Sequence, residues 1–128
     1  MANATRRHES RLCRPLGKGW IMSQTKIPTV GDVLKAVETF APKALAEEWD
    51  NPGLQLGDPN AKVAKIWTAL DPIPEVIAKA IASRCDLLLT HHPLFFRPVK
   101  SLDLSQPLMR GATAALKADM AIVAAHTN

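Results

Sequence analysis

Three short apolar runs, separated by two segments with helical periodicity, constrain this chain more than any other feature. Val63–Leu70 (VAKIWTAL) is mostly apolar and carries β-branched residues, so it predicts a buried strand. Leu87–Thr90 and Ala121–Ala125 predict two more. After the first run, Pro72 and Pro74 break the strand. Pro74 fits the first turn of a helix whose Val76, Ile77, Ala80 and Ile81 make one apolar stripe. After the second run, Ser105 is read as the cap of a helix with Pro107 near its start and Leu108, Met109, Ala112, Ala115 and Leu116 along it. A β-α-β-α-β order with short connections means parallel strands joined by crossover helices. The predicted class is therefore α/β, a mostly parallel sheet with flanking helices. One helix precedes the alternation, over about residues 30–41: Thr29 and Asp32 form a capping box, Val30, Val33, Leu34, Val37 and Phe40 follow at helical spacing, and Pro42 stops it. A sheet ending at residues 121–125 leaves that strand's outer edge unpaired, an aggregation hazard.

Composition narrows the function classes. At 128 residues, 47% hydrophobic and 22% charged, the chain has the size and make-up of one globular domain. No run approaches the ~18–20 apolar residues of a membrane span. Cys13 and Cys85 are too few for a disulfide scaffold and form no CxxC pair, which argues for a reducing compartment, the cytoplasm. P-loop, GxGxxG and GxSxG motifs are absent. The net charge of +4 resides in the first 26 residues, which hold six bases and one acid. Residues 27–128 hold ten bases and eleven acids, so the body offers no cationic face for nucleic acid. Residues 1–26 have no apolar period and are read as a disordered basic extension to an α/β body at 27–128. An organellar presequence, a nucleic-acid or membrane arm, and an upstream extension before a start at Met22 are the three accounts of it. Met22 lies just before the first patterned segment, which favours the last.

In open parallel sheets, ligands gather outside the carboxyl ends of the strands. The residues ending these strands are Asp71, then His91 and His92, then His126. Three of the four histidines and one aspartate thus project to one edge. Neighbouring residues in a strand face opposite sides, but at a strand end the backbone turns, and both imidazoles of His91-His92 can reach one cavity. Pro93 holds His92 extended. Neutral imidazole suits zinc, iron, nickel or copper, so the pair is read as metal ligands, with Asp71 and His126 close by. In residues 49–58, Asn51-Pro52-Gly53 is a turn, and the stretch is read as a plain connector. A functional loop would instead use Asp50, Asn51 or Asp58 near the site. Cys85 is expected to be buried packing, Glu47-Glu48 and Lys100 to be solvated, and His8 to have no role.

Taken together, several of these pieces resemble the NIF-three-like family, the GTP cyclohydrolase I type 2 homologues. They are the helix from Ile27 to Pro42, the 45–58 stretch with Glu48-Trp49-Asp50-Asn51 and Gly53-Leu54-Gln55, Asp71, Thr90-His91-His92-Pro93-Leu94-Phe95-Phe96, and His126-Thr127-Asn128. The resemblance runs from about Ile27 to Asn128 and leaves residues 1–26 outside. It implies a two-lobed α/β fold, a dinuclear centre of divalent transition metal ions (zinc, iron, manganese or nickel) and assembly into a ring-shaped hexamer. His91 and His92 are the ligands it implies here, with Asp71, His126 and Asn51 near the site. An aspartate just beyond His-Thr-Asn, and a histidine and glutamate in a C-terminal His-x-x-x-Glu, complete the family's set. The chain is accordingly expected to be an amino-terminal lobe, truncated at its C-terminus. Three functions follow: a metal-dependent, GTP cyclohydrolase-like hydrolase, a metal-binding or protein-docking module without catalysis, or an inactive fragment. Nucleic acid and membrane partners are not expected.

Overall fold

The computed structural model of the chain describes residues 26–126, so the predicted extension lies outside the described residues except for Lys26. Four strands form one sheet in the order β1-β4-β3-β2: β1 (Gly53–Leu56), β2 (Ile66–Ala69), β3 (Leu87–Thr90) and β4 (Ala121–Ala124). Helices α1 (Val30–Phe40), α2 (Pro74–Ala82) and α3 (Pro107–Lys117) surround it, and a single 3₁₀ turn spans Lys43–Leu45. The β2-α2-β3-α3-β4 order is the parallel alternation read from the sequence. Both crossovers step the same way along the sheet, so one handedness places α2 and α3 on one face. Among the described residues no helix is long and apolar enough to cross a membrane.

Strand periodicity sorts the core into two layers. Leu88 and Ile122 face α2 and α3, packing with Ile77, Ala80, Cys85, Ala112, Ala115 and Met120. Leu87, Ala121 and Val123 face the other way and pack with Val30 and Val63. The capping box of α1 is present, with Thr29 Oγ1 accepting from Asp32 N at 3.2 Å and Asp32 Oδ2 accepting from Thr29 N at 3.0 Å. Cys85 is buried, as expected.

Four readings are corrected. The 49–58 connector contains β1, which pairs antiparallel with β4 and covers the edge expected to be bare. Only Leu54 and Leu56 carry its apolar signal, and pairing with β4 supplies the rest. The Val63–Leu70 run yields a strand only over Ile66–Ala69. Val63 N donates to the Pro28 carbonyl, while Ala64 and Lys65 donate to the Asp86 carboxylate, which takes these three donors out of the ladder. As an edge strand, β2 is also half-exposed, with Ile66 and Thr68 outward. Gln106 rather than Ser105 holds the N-cap position of α3, with no side-chain capping hydrogen bond, and the Ser105 N–H donates to Asp103 in the preceding turn. Finally, Phe40 ends the apolar stripe of α1 but is 87% exposed, because α1 packs on the core through Val30, Val33 and Leu34 at its other end.

Candidate metal centre

The edge where β3 and β4 end is held by backbone hydrogen bonds that continue beyond the strands. His91 N and His92 N donate to the carbonyls of Ala69 and Leu70, and Ala125 N donates to that of Thr90. The chain then turns sharply. Thr90, a buried polar side chain, donates its hydroxyl to the His92 carbonyl at 2.7 Å and closes the turn. Both imidazoles are thereby brought to one side, as the position of the pair at a strand end predicts. The rings of His91 and His92 lie 4.9 Å apart, and His126 from the end of β4 lies 4.9 Å from His91 and 5.7 Å from His92. One ligand atom from each of the three falls within 4.8 Å of the others, a grouping that could hold a metal ion. His126, read as a neighbour of the site, is therefore part of the cluster itself.

Carboxylates orient two of these rings. Asp71 Oδ1 lies 2.5 Å from His92 Nδ1, and Asp50 Oδ2 lies 2.6 Å from His126 Nδ1. An ionised carboxylate there keeps the proton on Nδ1 and leaves the Nε2 lone pair for a ligand, the arrangement common behind metal-bound histidines. The two pairs differ in setting. Asp71 is about half exposed, at 47%, whereas the Asp50 side chain is fully buried. Asp50 belongs to the stretch read as a connector, so the functional-loop alternative describes this residue better.

Asn51 and Gln55 act on the loop that follows the histidines. Asn51 Nδ2 donates to the Phe95 carbonyl at 2.7 Å, and Gln55 Oε1 accepts from Phe95 N at 3.1 Å. Gln55 Nε2 in turn donates to the Asn51 carbonyl. Gln55 can do this because β1 shifts register between Leu54 and Leu56, a bulge that redirects its side chain. Gln55 belongs to the stretch that carries the family resemblance but was given no role from the sequence, where a bulge leaves no pattern. Thr127 and Asn128 of the terminal motif lie outside the described residues, and Lys100 is exposed.

Residues 28–128 match the family described as Duf34/NIF3 (NGG1p interacting factor 3). The chain is 41% identical over 96 residues to the GTP cyclohydrolase 1 type 2 homolog of Bacillus subtilis, covering 75% of this chain and 26% of that protein. It is 34% identical over 102 residues to the homolog of Streptomyces coelicolor, covering 80% and 36%. Among solved structures, a Bacillus cereus protein related to NIF3 superposes with a TM-score of 0.74 at 36% identity, over 80% of this chain and 28% of that one. Reduced HcgD from Methanocaldococcus jannaschii gives 0.71 at 36% identity, over 77% and 39%. Against these four proteins the chain spans between 26% and 39% of the relative's length.

Proposed function

We propose, from the premise that this chain belongs to the Duf34/NIF3 (NGG1p interacting factor 3) family, that it is the histidine-rich lobe of a metal-dependent hydrolase-like protein. The observation that carries the reading is the convergence of His91, His92 and His126, with carboxylates behind two of the three rings. His91, His92 and His126 would hold a divalent transition ion, and imidazole donors suit zinc, iron or nickel better than manganese. A bound ion supplies Lewis acidity and lowers the pKa of a water to about 7, the chemistry of metal-assisted hydrolysis. Asp50 and Asp71 fix the ring tautomers, while Asn51 and Gln55 hold the Phe95 backbone against the site. Three imidazoles are too few to secure two ions and still leave room for water, so uptake is expected near one ion per chain.

The name carried by the curated relatives, GTP cyclohydrolase 1 type 2 homolog, makes GTP the first substrate to assay. A second reading, a metal-binding or protein-docking module without turnover, needs only the three-histidine grouping and no substrate. Self-association into a ring-shaped hexamer belongs to the first reading and is checked by light scattering. The deciding experiment titrates Zn²⁺ or Co²⁺ into the full chain and into His91→Ala, His92→Ala and His126→Ala. Each variant is expected to bind at least about tenfold more weakly. Unchanged affinity in all three would overturn the metal centre. Ion-dependent turnover of GTP that disappears in His91→Ala selects the enzyme, and stoichiometric uptake without turnover selects the module.

A further inference from the structure

Residues 71–74, which join β2 to α2, and residues 92–94, which follow β3, enclose a cavity of about 410 Å³ on the His92 side of the cluster. That volume lies within the range of small-molecule sites. Asp71 and His92 form its polar end, and Pro72, Ile73, Pro93, Leu94 and Leu108 supply an apolar wall. No lysine or arginine lines it, and its one carboxylate, Asp71, would repel an anion. The cavity on the His126 side differs, since Glu48, Asp50 and Arg97 all line it. Ile73 is the residue that local structure explains least. It holds the N-cap position of α2, makes no side-chain capping hydrogen bond, and is 49% exposed. Serine, threonine, aspartate or asparagine would cap the helix there, and isoleucine is among the poorest choices. An apolar side chain that forgoes the cap and stays half exposed is accounted for by what it faces, which is the cavity. Local rules of this kind are broken most often where a site needs the residue.

We propose that this cavity takes an uncharged apolar group of the substrate, attached to the polar group that meets the histidines. The proposal rests on the hydrolase reading only for placing that group beside the reacting centre; filling the cavity needs no ion. Both sides of the wall are set before a ligand arrives. Pro72 and Pro74 flank Ile73 and restrict the backbone there. His92 N donates to the Leu70 carbonyl at 3.0 Å, which ties the turn after β3 to the end of β2. Moving apolar surface from water onto such a wall tightens binding, whereas a phosphate or carboxylate there loses hydration, finds no cation and meets Asp71. The charged lining on the His126 side and the apolar lining on the His92 side give a substrate one orientation.

NMR titrations of the metal-free full chain with 1-butanol, 1-pentanol, 1-hexanol and hexanoate test the cavity without an ion. The backbone amides of Asp71, Ile73, Leu94 and Leu108 are expected to shift, with affinity rising about two- to fourfold per added methylene. Hexanoate should bind at least about threefold more weakly than 1-hexanol. Ile73→Ser adds a capping hydroxyl while removing part of the wall. It should melt no lower than the parent yet lose about five- to tenfold in 1-hexanol affinity, and Ile73→Leu should keep that affinity. Affinity that does not change with chain length, hexanoate equal to 1-hexanol, or an Ile73→Ser variant that binds like the parent would each overturn the proposal. So would amides of this wall that shift with protein concentration and not with alcohol, since a second copy of the chain would then occupy the face. With Zn²⁺ bound, hexanohydroxamate should bind at least about tenfold tighter than acetohydroxamate, and Ile73→Ser should remove most of that margin. Equal affinities would overturn the placing beside the reacting centre. If neither hydroxamate binds while the alcohol series holds, the metal centre fails and the cavity stands.

Discussion

Replacing Asp50 by alanine is the sharpest test of how the histidine cluster is held. The Asp50 side chain is fully buried and lies 2.6 Å from His126 Nδ1, so solvent does not screen the pair. Two effects should appear together. Without the ion, the buried Nδ1–H loses its partner at a cost of about 1–3 kcal/mol, which lowers the thermal midpoint by roughly 5–15 °C in a domain of this size. With the ion, removing a carboxylate behind a ligating histidine costs about 10–100-fold in affinity, or roughly 1.4–2.7 kcal/mol. Burial puts Asp50 near the upper end of that range. Asp71 is about half exposed, so solvent screens its pair with His92, and Asp71→Ala should cost about tenfold or less. Asp50→Asn keeps an oxygen for Nδ1–H but loses the charge, and should fall between parent and alanine. Competition with a chromophoric chelator gives the affinities, and melts of the metal-free proteins give the stabilities. Equal losses for Asp50→Ala and Asp71→Ala, or no loss for Asp50→Ala, would refute the argument that burial sets the strength of these pairs.

Two further outcomes follow from local geometry. Gly57 has φ +113°, and a Cβ there would lie 2.7 Å from Ala121 Cβ and 2.8 Å from Ala121 Cα; Gly57→Ala should therefore destabilise by about 2–5 kcal/mol in urea unfolding, and a loss below 1 kcal/mol would contradict the packing. Asp32 has its carboxyl held below the ordinary range, first by the backbone hydrogen bond from Thr29 and then by the Thr29 hydroxyl. Because its folded value lies below its unfolded one, its stabilisation is complete above the unfolded range and fades as pH falls through the folded value. Stability of the parent should fall more steeply than that of Asp32→Asn across that acid window, and parallel curves would count against the capping box.

What could be read from the sequence depended on whether a signal was local. The parallel alternation was legible because Leu87–Thr90 and Ala121–Ala124 are apolar on both faces, and they are buried on both faces in the fold. The strand-end rule placed His91, His92 and His126 on one edge, and their rings do meet there. Strand β1 was not legible, since four residues containing Gly53 and Gln55 carry too little apolar pattern to be distinguished from a turn. The partnership of Asp50 with His126 spans 76 positions, and no local spacing encodes it. The edge position of β2 depends on which strand ends the sheet, so the apolar run at Val63–Leu70 suggested more burial than Ile66 and Thr68 receive.

The strand that escaped the sequence is the one that completes the site. Parallel strands deliver their carboxyl ends to a common edge, which accounts for His91, His92 and His126 but not for the groups that orient them. Because β1 runs antiparallel, its first residue, Gly53, pairs with Ala124, the last residue of β4. The residues just before β1 therefore arrive at the same edge that β4 leaves. Asp50 reaches His126 and Asn51 reaches Phe95 for this reason. Had β1 run parallel to β4, its other end, Gly57 and Asp58, would have come to that edge in their place. With the observed direction, Gly57 lies against Ala121 at the opposite edge of the sheet. One reversed strand thus brings the buried carboxylate, the loop clamp and the Trp49 ring to a cluster whose histidines come from parallel strands.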